Sequence, residues 1–366
     1  VHTGGGQLEQ PYTGAGVIFG IIDSGIDPTH PDFKNEDGTT RILAFWDQSD
    51  SSGKLEPYGY GKAYTKQEID NGAMSNYLDS VYGGHGTAVA GVAVGNGKSH
   101  PDIKGMAPDA DIIAIGINPT VLDYLDRTPS MLNIVDGIEY IFKNADALNK
   151  PAVINISLGG IEGSHDGRDL ATQMIDKMIQ AKYGRALVTS AGNSGQNKQH
   201  IQFNVKGDTQ FTWFESMFSN SQVCKRDSGA YMSFYGDSIN ILNLQISIAA
   251  ESRSPCCTIL DATGFQPFLK PLGVIRSDTL WDGASQIGIV KTFVEKIEDV
   301  YAFYMEISST QMRTLWRCSF TGNGKVDGWA GRLTERSCNS TYILNPLMVG
   351  APSKIKNFNH YVKPDN

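Results

Sequence analysis

Short apolar runs alternate with segments of helical periodicity over residues 1–200. Continuous apolar runs are typical of strands buried on both faces of a sheet. Between them, apolar residues recur three to four positions apart in 131–148 and 169–181, which predicts two helices with one buried stripe each. Strands that alternate with helices indicate an α/β domain with a mostly parallel sheet covered on both faces. The predicted strands are 17–22, 111–117, 152–158 and 186–189.

The pattern changes at about residue 201. Runs of alternating or aromatic character, such as 210–214 and 300–305, are separated by Gly, Ser, Asp and Asn. This pattern is typical of an antiparallel β-sandwich or jelly roll. We therefore predict an α/β domain over 1–200, an inserted jelly-roll-like β domain over 201–340, and a truncated return segment to the first domain over 341–366.

Composition and charge narrow the classes of function. Hydrophobic residues make up 40% and charged residues 19% of the 366 residues, which is ordinary for a folded globular protein. The net charge is −8 and no Lys/Arg cluster is present, so we expect no nucleic-acid partner. No apolar run approaches the roughly 18 residues of a membrane-spanning helix, so no membrane span is predicted.

The five cysteines do not define a metal site. None of them has CxxC spacing, so a structural zinc site is not expected. Their odd number and one adjacent pair are compatible with one or two disulfides and equally with buried free thiols. They are Cys224, Cys256, Cys257, Cys318 and Cys338.

Asp23 ends the first apolar run, in the string Ile-Ile-Asp-Ser-Gly-Ile-Asp-Pro-Thr-His-Pro-Asp (21–32). An Asx turn that closes a strand is the common role of Asp-Ser-Gly. The functional alternative is a buried carboxylate that orients an imidazole and stabilises its cation. The longer string is far more specific than Asp-Ser-Gly alone.

Two further strings contain candidate catalytic residues, His85 and Asn193. His85 stands where a helix of small residues is predicted to begin, in Gly-His-Gly-Thr-Ala-Val-Ala-Gly (84–91). It is either a core or capping histidine or a group that takes up and returns a proton near neutral pH. Asn193, in Ser-Ala-Gly-Asn-Ser-Gly (190–195), either forms a plain turn or presents its amide NH₂ to a developing oxyanion.

In this order on an α/β pattern, the three strings resemble the subtilisin-like serine proteases (subtilases, peptidase family S8) over about residues 8–200. The resemblance implies that Asp23, His85 and Asn193 are catalytic and that the partner is a polypeptide substrate. It also implies a substrate cleft in which a peptide adds as a β-strand. The implied substrate-binding residues are Ser157, Leu158, Gly159 and Gly160 along the cleft, and Ser190, Ala191 and Gly192 in the wall of the primary specificity pocket.

The resemblance breaks down at the nucleophile. The family's Gly-Thr-Ser-x-[Ala/Ser]-x-Pro string does not occur in the sequence. The nearest match, 283–285, lies in the β-rich region and no proline follows it. We therefore expect a fragment whose serine lies beyond Asn366, and we expect the fragment itself to be inactive.

The alternative is a catalytically dead binding protein that recognises a peptide or, through the β segment, a carbohydrate or protein. Aromatic residues in that segment suggest such binding, although the sandwich core is their more common place: Trp213, Phe214 and Trp316. A β insertion after Asn193 resembles a bacterial subgroup of subtilases, which implies a secreted or cell-surface protein.

No cofactor is expected, and a calcium site is the alternative. Asp32 matches a position that ligates calcium in some subtilases. The loop that would supply its partners, 96–102, contains Lys98 and His100, which are poor neighbours for a hard dication. The resemblance also implies that 47–82 is longer than in compact family members, and we predict that it forms a polar loop that frames the cleft.

Overall fold

The computed structural model describes most of the chain, in two compact units. The first unit comprises Val1–Gly159 and Ala171–Gly192, and the second comprises Gly160–Leu170 and Asn193–Asn366. The predicted domain boundaries at 200 and 340 stay predictions. The described residues are 10–74, 77–117, 128–159, 163–193, 195, 198–217, 229–254, 256–269, 271–309, 314–331, 340–344 and 359.

The first unit contains a six-stranded, mostly parallel sheet, as predicted. Its strands are β1 (Ile18–Asp23), β2 (Ile42–Asp47), β3 (Lys62–Thr65), β4 (Asp111–Gly116), β5 (Ala152–Ile156) and β6 (Arg185–Thr189). The strand order is β3-β2-β4-β1-β5-β6, and only the β2–β3 pair is antiparallel. The helices are α1 (Lys66–Asp70), α2 (Tyr77–Val81), α3 (His85–Val94), α4 (Thr128–Ala147) and α5 (Leu170–Gln180).

Helices cover both faces of this sheet. All six residues of β1 are buried, as its continuous apolar run predicts. On one face, Ile138 and Ile141 of α4 pack into the core with Ile22. On the other face, Ala90 and Val94 of α3 share a second core with residues of β1, β2 and β4. This packing holds α3 against the sheet.

The prediction of a polar loop over 47–82 is wrong. This segment contains β3, α1 and α2, and two of its tyrosines, Tyr58 and Tyr60, pack on Trp46 together with Tyr140 of α4. The ring centroids of Tyr58, Tyr60 and Tyr140 lie 4.7, 5.2 and 5.4 Å from that of Trp46. The Tyr60 hydroxyl donates to Asp136 at 2.9 Å, and burial raises the pKa of Tyr60. Elements of four or five residues are too short to show a hydrophobic period, so the pattern missed them.

The second unit is built from two antiparallel sheets, which confirms the predicted β architecture. One sheet has the strand order β11-β10-β16-β8-β18 with β12 beside β10, and the other β13-β14-β15-β9-β17-β7. Phe214, Phe234 and Phe303 lie in one large core to which both sheets contribute. The elements are β7 (His200–Lys206), β8 (Gln210–Met217), β9 (Gly229–Asp237), α6 (Ser238–Ile241), β10 (Gln245–Arg253), β11 (Cys256–Ala262), β12 (Gln266–Pro267), β13 (Arg276–Asp282), β14 (Ser285–Ile297), β15 (Val300–Ser309), β16 (Leu315–Thr321), β17 (Asn323–Gly331) and β18 (Ser340–Leu344).

Three of the five cysteines lie in the described part of the chain. The sulfur atoms of the adjacent Cys256 and Cys257 are bonded to each other. Cys318 is a buried free thiol, and burial raises its pKa. Cys224 and Cys338 lie outside the described residues. Across those residues, no helix is both long and apolar enough to span a bilayer.

Candidate active site

Three parallel strands of the first unit end side by side at one edge of the sheet. The register pairs Ile22, the second-last residue of β1, with Ile156 at the end of β5, and Ile156 with Thr189 at the end of β6. Asp23 and the segments that begin at Ser157 and Ser190 therefore leave the sheet at the same edge. Functional groups of parallel sheets gather at this carboxyl edge.

Asp23 and His85 form a hydrogen-bonded pair at this edge. The Nδ1 atom of His85, the first residue of α3, lies 2.7 Å from Oδ1 of Asp23. A carboxylate only accepts hydrogen bonds, so the bond requires a proton on Nδ1. The Asp23 side chain is fully buried, whereas the His85 side chain is 49% exposed. The imidazole is thus held at one nitrogen and accessible over half of its surface.

Two glycines bring the turn after β1 into contact with α3. A Cβ atom on Gly86 would lie 2.0 Å from the carbonyl oxygen of Gly25, so only glycine fits there. Gly25 has a φ of +130°, which residues with a side chain rarely adopt. The backbone N–H of Ser24 donates to Asp23 Oδ1 at 2.7 Å and fixes the carboxylate. The Asp-Ser-Gly turn and the helix start therefore meet backbone to backbone.

A second buried carboxylate, Asp79, lies beside this turn and was not predicted from the sequence. Asp79 is 2% exposed, and its Oδ1 accepts a hydrogen bond from the Ser24 hydroxyl at an oxygen–oxygen distance of 2.7 Å. The Ser24 oxygen also lies 3.2 Å from Oδ1 of Asp23, so it links the two carboxylates. A helix cap is recognised in a sequence at the residue directly before the helix. Asp79 lies six residues before His85, the first residue of α3, so it gives no such signal.

The segment that contains Asp23, Asp79 and His85 matches the model of a known protein family. Residues 14–236 match the model of the subtilase family, peptidase family S8. The chain belongs to the subtilase family. The matched range includes all three catalytic residues predicted from the sequence, Asp23, His85 and Asn193.

Known subtilases resemble parts of this chain. The PII-type proteinase of Lacticaseibacillus paracasei is 29% identical over 204 residues, 52% of this chain and 10% of that protein. The minor extracellular protease Vpr of Bacillus subtilis (strain 168) is 31% identical over 187 residues, 51% of this chain and 19% of that protein. This subtilase therefore spans only a small part of the length of these relatives.

A solved structure shares the fold over most of the chain. The Clostridium perfringens CspB protease superposes with a TM-score of 0.67 at 24% sequence identity. The superposition covers 92% of this subtilase and 65% of the other chain. A likeness that covers this much of the chain must extend into the antiparallel sheets of the second unit. Whether these sheets form an insertion stays a prediction.

The predicted cleft residues follow β5. Ser157 accepts a hydrogen bond from the Asn155 side chain at 3.0 Å and is half-buried. Leu158 packs partly against the core, and Gly159 is exposed. Gly160 lies outside the described residues. The role of this segment in substrate binding stays a prediction for this subtilase.

The predicted pocket wall and oxyanion residue follow β6. Ser190 donates its N–H to the carbonyl of Ile156 at 3.2 Å, which extends the β5–β6 pairing by one bond. Ser190, Ala191 and Gly192 are exposed, and so is the Asn193 residue that follows. Exposed groups at the end of a strand are available to a ligand, but the predicted roles of these four residues are not tested by the geometry.

The serine string nearest to the family's nucleophile motif forms a hairpin turn. Asp282 and Ser285 pair across the turn between β13 and β14, and Gly283 has a φ of +58°. Ser285 therefore begins a strand in the second unit, whereas the family's nucleophile opens a helix.

The carboxylate of Asp32 contacts hydrogen-bond donors. Its Oδ1 accepts the N–H of Ser99 at 2.7 Å and the hydroxyl of Ser99 at 2.5 Å. The Lys98 ammonium donates to the carbonyl of Asn35 at 2.5 Å, and Arg41 donates to the carbonyl of Asp32 at 2.9 Å. Calcium sites need several oxygen ligands. In the described part of the chain, no three His, Cys, Asp or Glu side chains are placed to hold a metal ion.

We expect acid to release the loop after α3 through Asp32. Burial alone would raise the pKa of Asp32, but the bonds from Ser99 and the charges of His30 and Arg41 outweigh it and lower that pKa. The contribution to stability is then complete above the ordinary pKa of about 3.9 and is lost as the pH falls through the lowered value. Hydrogen exchange of the amides of residues 96–104, followed from about pH 5 down to about pH 2, should show this loss.

A pair of matched variants tests this assignment. Ser99→Ala should move the acid opening of the loop to higher pH, because it removes the hydroxyl bond, one of the two Ser99 bonds that lower the pKa of Asp32. Thr39 binds the carboxylate of Asp37 through its N–H and hydroxyl in the same way, at 2.9 and 2.7 Å. Thr39→Ala should leave the loop unchanged. An equal shift in both variants would contradict the assignment to Asp32.

Proposed function

We propose that this subtilase is part of a serine endopeptidase whose triad consists of Asp23, His85 and a serine outside residues 1–366. The hydrogen bond between Asp23 Oδ1 and His85 Nδ1, at 2.7 Å, is the observation that carries the proposal. A buried carboxylate that holds a half-exposed imidazole in one tautomer is the arrangement that a general base requires. Membership of the subtilase family supports the reaction class.

The proposed reaction runs through an acyl-enzyme. Nε2 of His85 takes the proton of the serine hydroxyl as the serine oxygen attacks the peptide carbonyl carbon. Asp23 stabilises the imidazolium, and the Asn193 amide stabilises the oxyanion. The imidazolium then gives its proton to the leaving amine as the C–N bond breaks. A water molecule, deprotonated by His85, hydrolyses the ester and restores the serine.

Exposed apolar side chains on α3 and the sheet support a further segment in the parent protein. α3 is apolar on all sides apart from His85 and Thr87, and a helix of this kind is normally buried. Yet Val92 of α3 is 75% exposed, and Val188 of β6 is 54% exposed. We propose that a segment of the parent protein that carries the serine packs over these residues.

A covalent serine probe tests the proposal. We expect a fluorophosphonate to label the full-length parent protein and to label neither residues 1–366 alone nor the parent with His85→Ala. Co-expression of residues 1–366 with the downstream segment should restore labelling. Labelling of residues 1–366 alone would show that the nucleophile lies within this chain. A parent that encodes no serine at a helix start and remains unlabelled would instead be a binding protein.

The aromatic residues that suggested ligand binding by the β segment do not support that alternative. Trp213, Phe214 and Trp316 are 1%, 0% and 2% exposed, so no ligand can stack on them. We propose a polypeptide as the substrate and expect no nucleic-acid partner, given the net charge of −8. An extracytoplasmic location is also proposed, and the similarity to an extracellular protease of Bacillus subtilis supports it.

A further inference from the structure

The helix that carries His85 begins without a cap of its own. Its N-cap residue is Gly84, which has a φ of +76° and no side chain to accept a hydrogen bond. The first N–H groups of a helix have no partner inside the helix and need one from elsewhere. Asp79 supplies it from α2: Oδ1 accepts the N–H of Gly86 at 2.9 Å, and Oδ2 accepts the hydroxyl of Thr87 at 2.5 Å.

The same carboxylate holds the other half of the catalytic pair. The hydroxyl of Ser24, the residue after Asp23, donates to Oδ1 of Asp79 at 2.7 Å. A Cβ atom on Gly25 would lie 3.3 Å from the Cβ of Asp79, so the turn packs directly on this side chain. Asp79 therefore contacts both the turn that carries Asp23 and the helix start that carries His85, which are otherwise far apart in the sequence.

The burial of Asp79 is compatible with a charge. Four donors surround its two oxygens: the hydroxyls of Ser24 and Thr87 and the N–H groups of Gly86 and, at 3.4 Å, Thr87. A carboxylate that accepts several hydrogen bonds is stabilised in its charged form. Negative charge is also favourable at the N-terminus of a helix. Gly86, whose N–H donates to Oδ1 of Asp79, directly follows His85 in the sequence.

We propose that Asp79 is a positioning residue for the Asp23–His85 pair and places a second negative charge at the start of the helix that carries His85. The effect of Asp79 on catalysis rests on the proposed function. Asp79 gives up and takes up no proton in the reaction, because the proton moves from the serine oxygen to Nε2 of His85 and on to the leaving amine. The role of Asp79 is to hold α3 on the turn after β1 and to add negative charge at the start of that helix.

Two substitutions separate position from charge. Asp79→Asn keeps an oxygen for Ser24 and Gly86 and turns its NH₂ toward the Thr87 oxygen. It therefore removes the charge and preserves these three contacts, and it loses only the long bond from the Thr87 N–H. Asp79→Ala removes both. The control is Asp70→Asn, because Asp70 also accepts a backbone N–H from another element, that of Thr40 at 2.6 Å, and has no contact with Asp23 or His85 among the bonds described.

The first measurement is the proton resonance of His85 Nδ1–H in residues 1–366, identified by its loss in His85→Ala. We expect Asp79→Ala to broaden or remove this resonance through faster exchange with solvent, whereas Asp79→Asn and Asp70→Asn retain it. If Asp79→Ala does not unfold cooperatively, Asp79→Ser replaces it. An unchanged resonance in a folded Asp79→Ala or Asp79→Ser chain would overturn the positioning role.

The second measurement is kinetic and uses the full-length parent. We expect Asp79→Asn to lower kcat by about tenfold with little change in KM, because only the charged imidazole is affected. Asp70→Asn should leave both constants unchanged. A kcat of Asp79→Asn within about twofold of wild type would overturn the electrostatic role. An inactive wild-type parent would count against the proposed function, and the resonance would still decide the positioning role.

Discussion

Asp23→Asn in the full-length parent is expected to lower kcat by about 10⁴-fold with a small effect on KM. Oδ1 of Asp23 accepts both the Ser24 N–H and His85 Nδ1, so an asparagine oxygen at this position can retain both bonds. The substitution removes the negative charge that stabilises the imidazolium, and an amide that turns its NH₂ toward His85 also holds the imidazole in the wrong tautomer. The measurement is steady-state hydrolysis of a peptide substrate, with the concentration of active sites determined by a serine probe.

A neighbouring aspartate provides the control. Asp27 accepts the N–H and hydroxyl of Thr29 at 2.8 and 2.7 Å in the same stretch of chain, and it has no bond to His85 among those described. Asp27→Asn is expected to change kcat by less than about threefold. A loss below about tenfold in Asp23→Asn would show that Asp23 does not act on the imidazole, and the proposed triad would have to be abandoned.

Glu251→Ala is expected to lower the unfolding free energy of the second unit by about 3–5 kcal/mol. Glu251 is 1% exposed, and its carboxylate accepts the indole N–H of Trp213 at 2.7 Å. Arg317 donates to its other oxygen at 3.2 Å and lies over the ring of Phe211, 3.7 Å from the centroid. Alanine leaves a buried indole N–H and a largely buried guanidinium without their acceptor.

A double variant distinguishes a lost partner from lost packing. In Glu251→Leu with Arg317→Met, both charges are replaced by apolar groups, so the unfolding free energy should return to within about 1–2 kcal/mol of wild type. Hydrogen exchange of the β10 and β16 amides measures the second unit separately. Asp278→Ala breaks a surface pair with Arg276 and should cost less than about 1 kcal/mol. A double variant as unstable as Glu251→Ala would contradict the explanation by an unpaired charge.

The sequence predicted those elements whose hydrophobic pattern is long or continuous. β1, β4, β5 and β6 are short apolar runs, and α4 and α5 carry clear stripes, because burial alone decides their composition. β2 and β3 were missed, and so were α1 and α2 within 47–82. These last three elements have four or five residues each, and they are stabilised by contacts such as those of Tyr58 and Tyr60 with Trp46. Contacts between distant residues leave no periodic signal in the sequence.

The features of the candidate site also fall into those that local sequence predicts and those that depend on contacts between distant residues. The sequence by itself determined that an aspartate ends a buried strand and that a histidine begins a helix of small residues, because both positions follow from local pattern and recognisable strings. Only the tertiary structure decided that Asp23 and His85 are 2.7 Å apart. That distance depends on Gly86 packing against Gly25 and on the contacts of Asp79, which join segments more than fifty residues apart. No local rule specifies such packing, since its free energy arises from the whole fold.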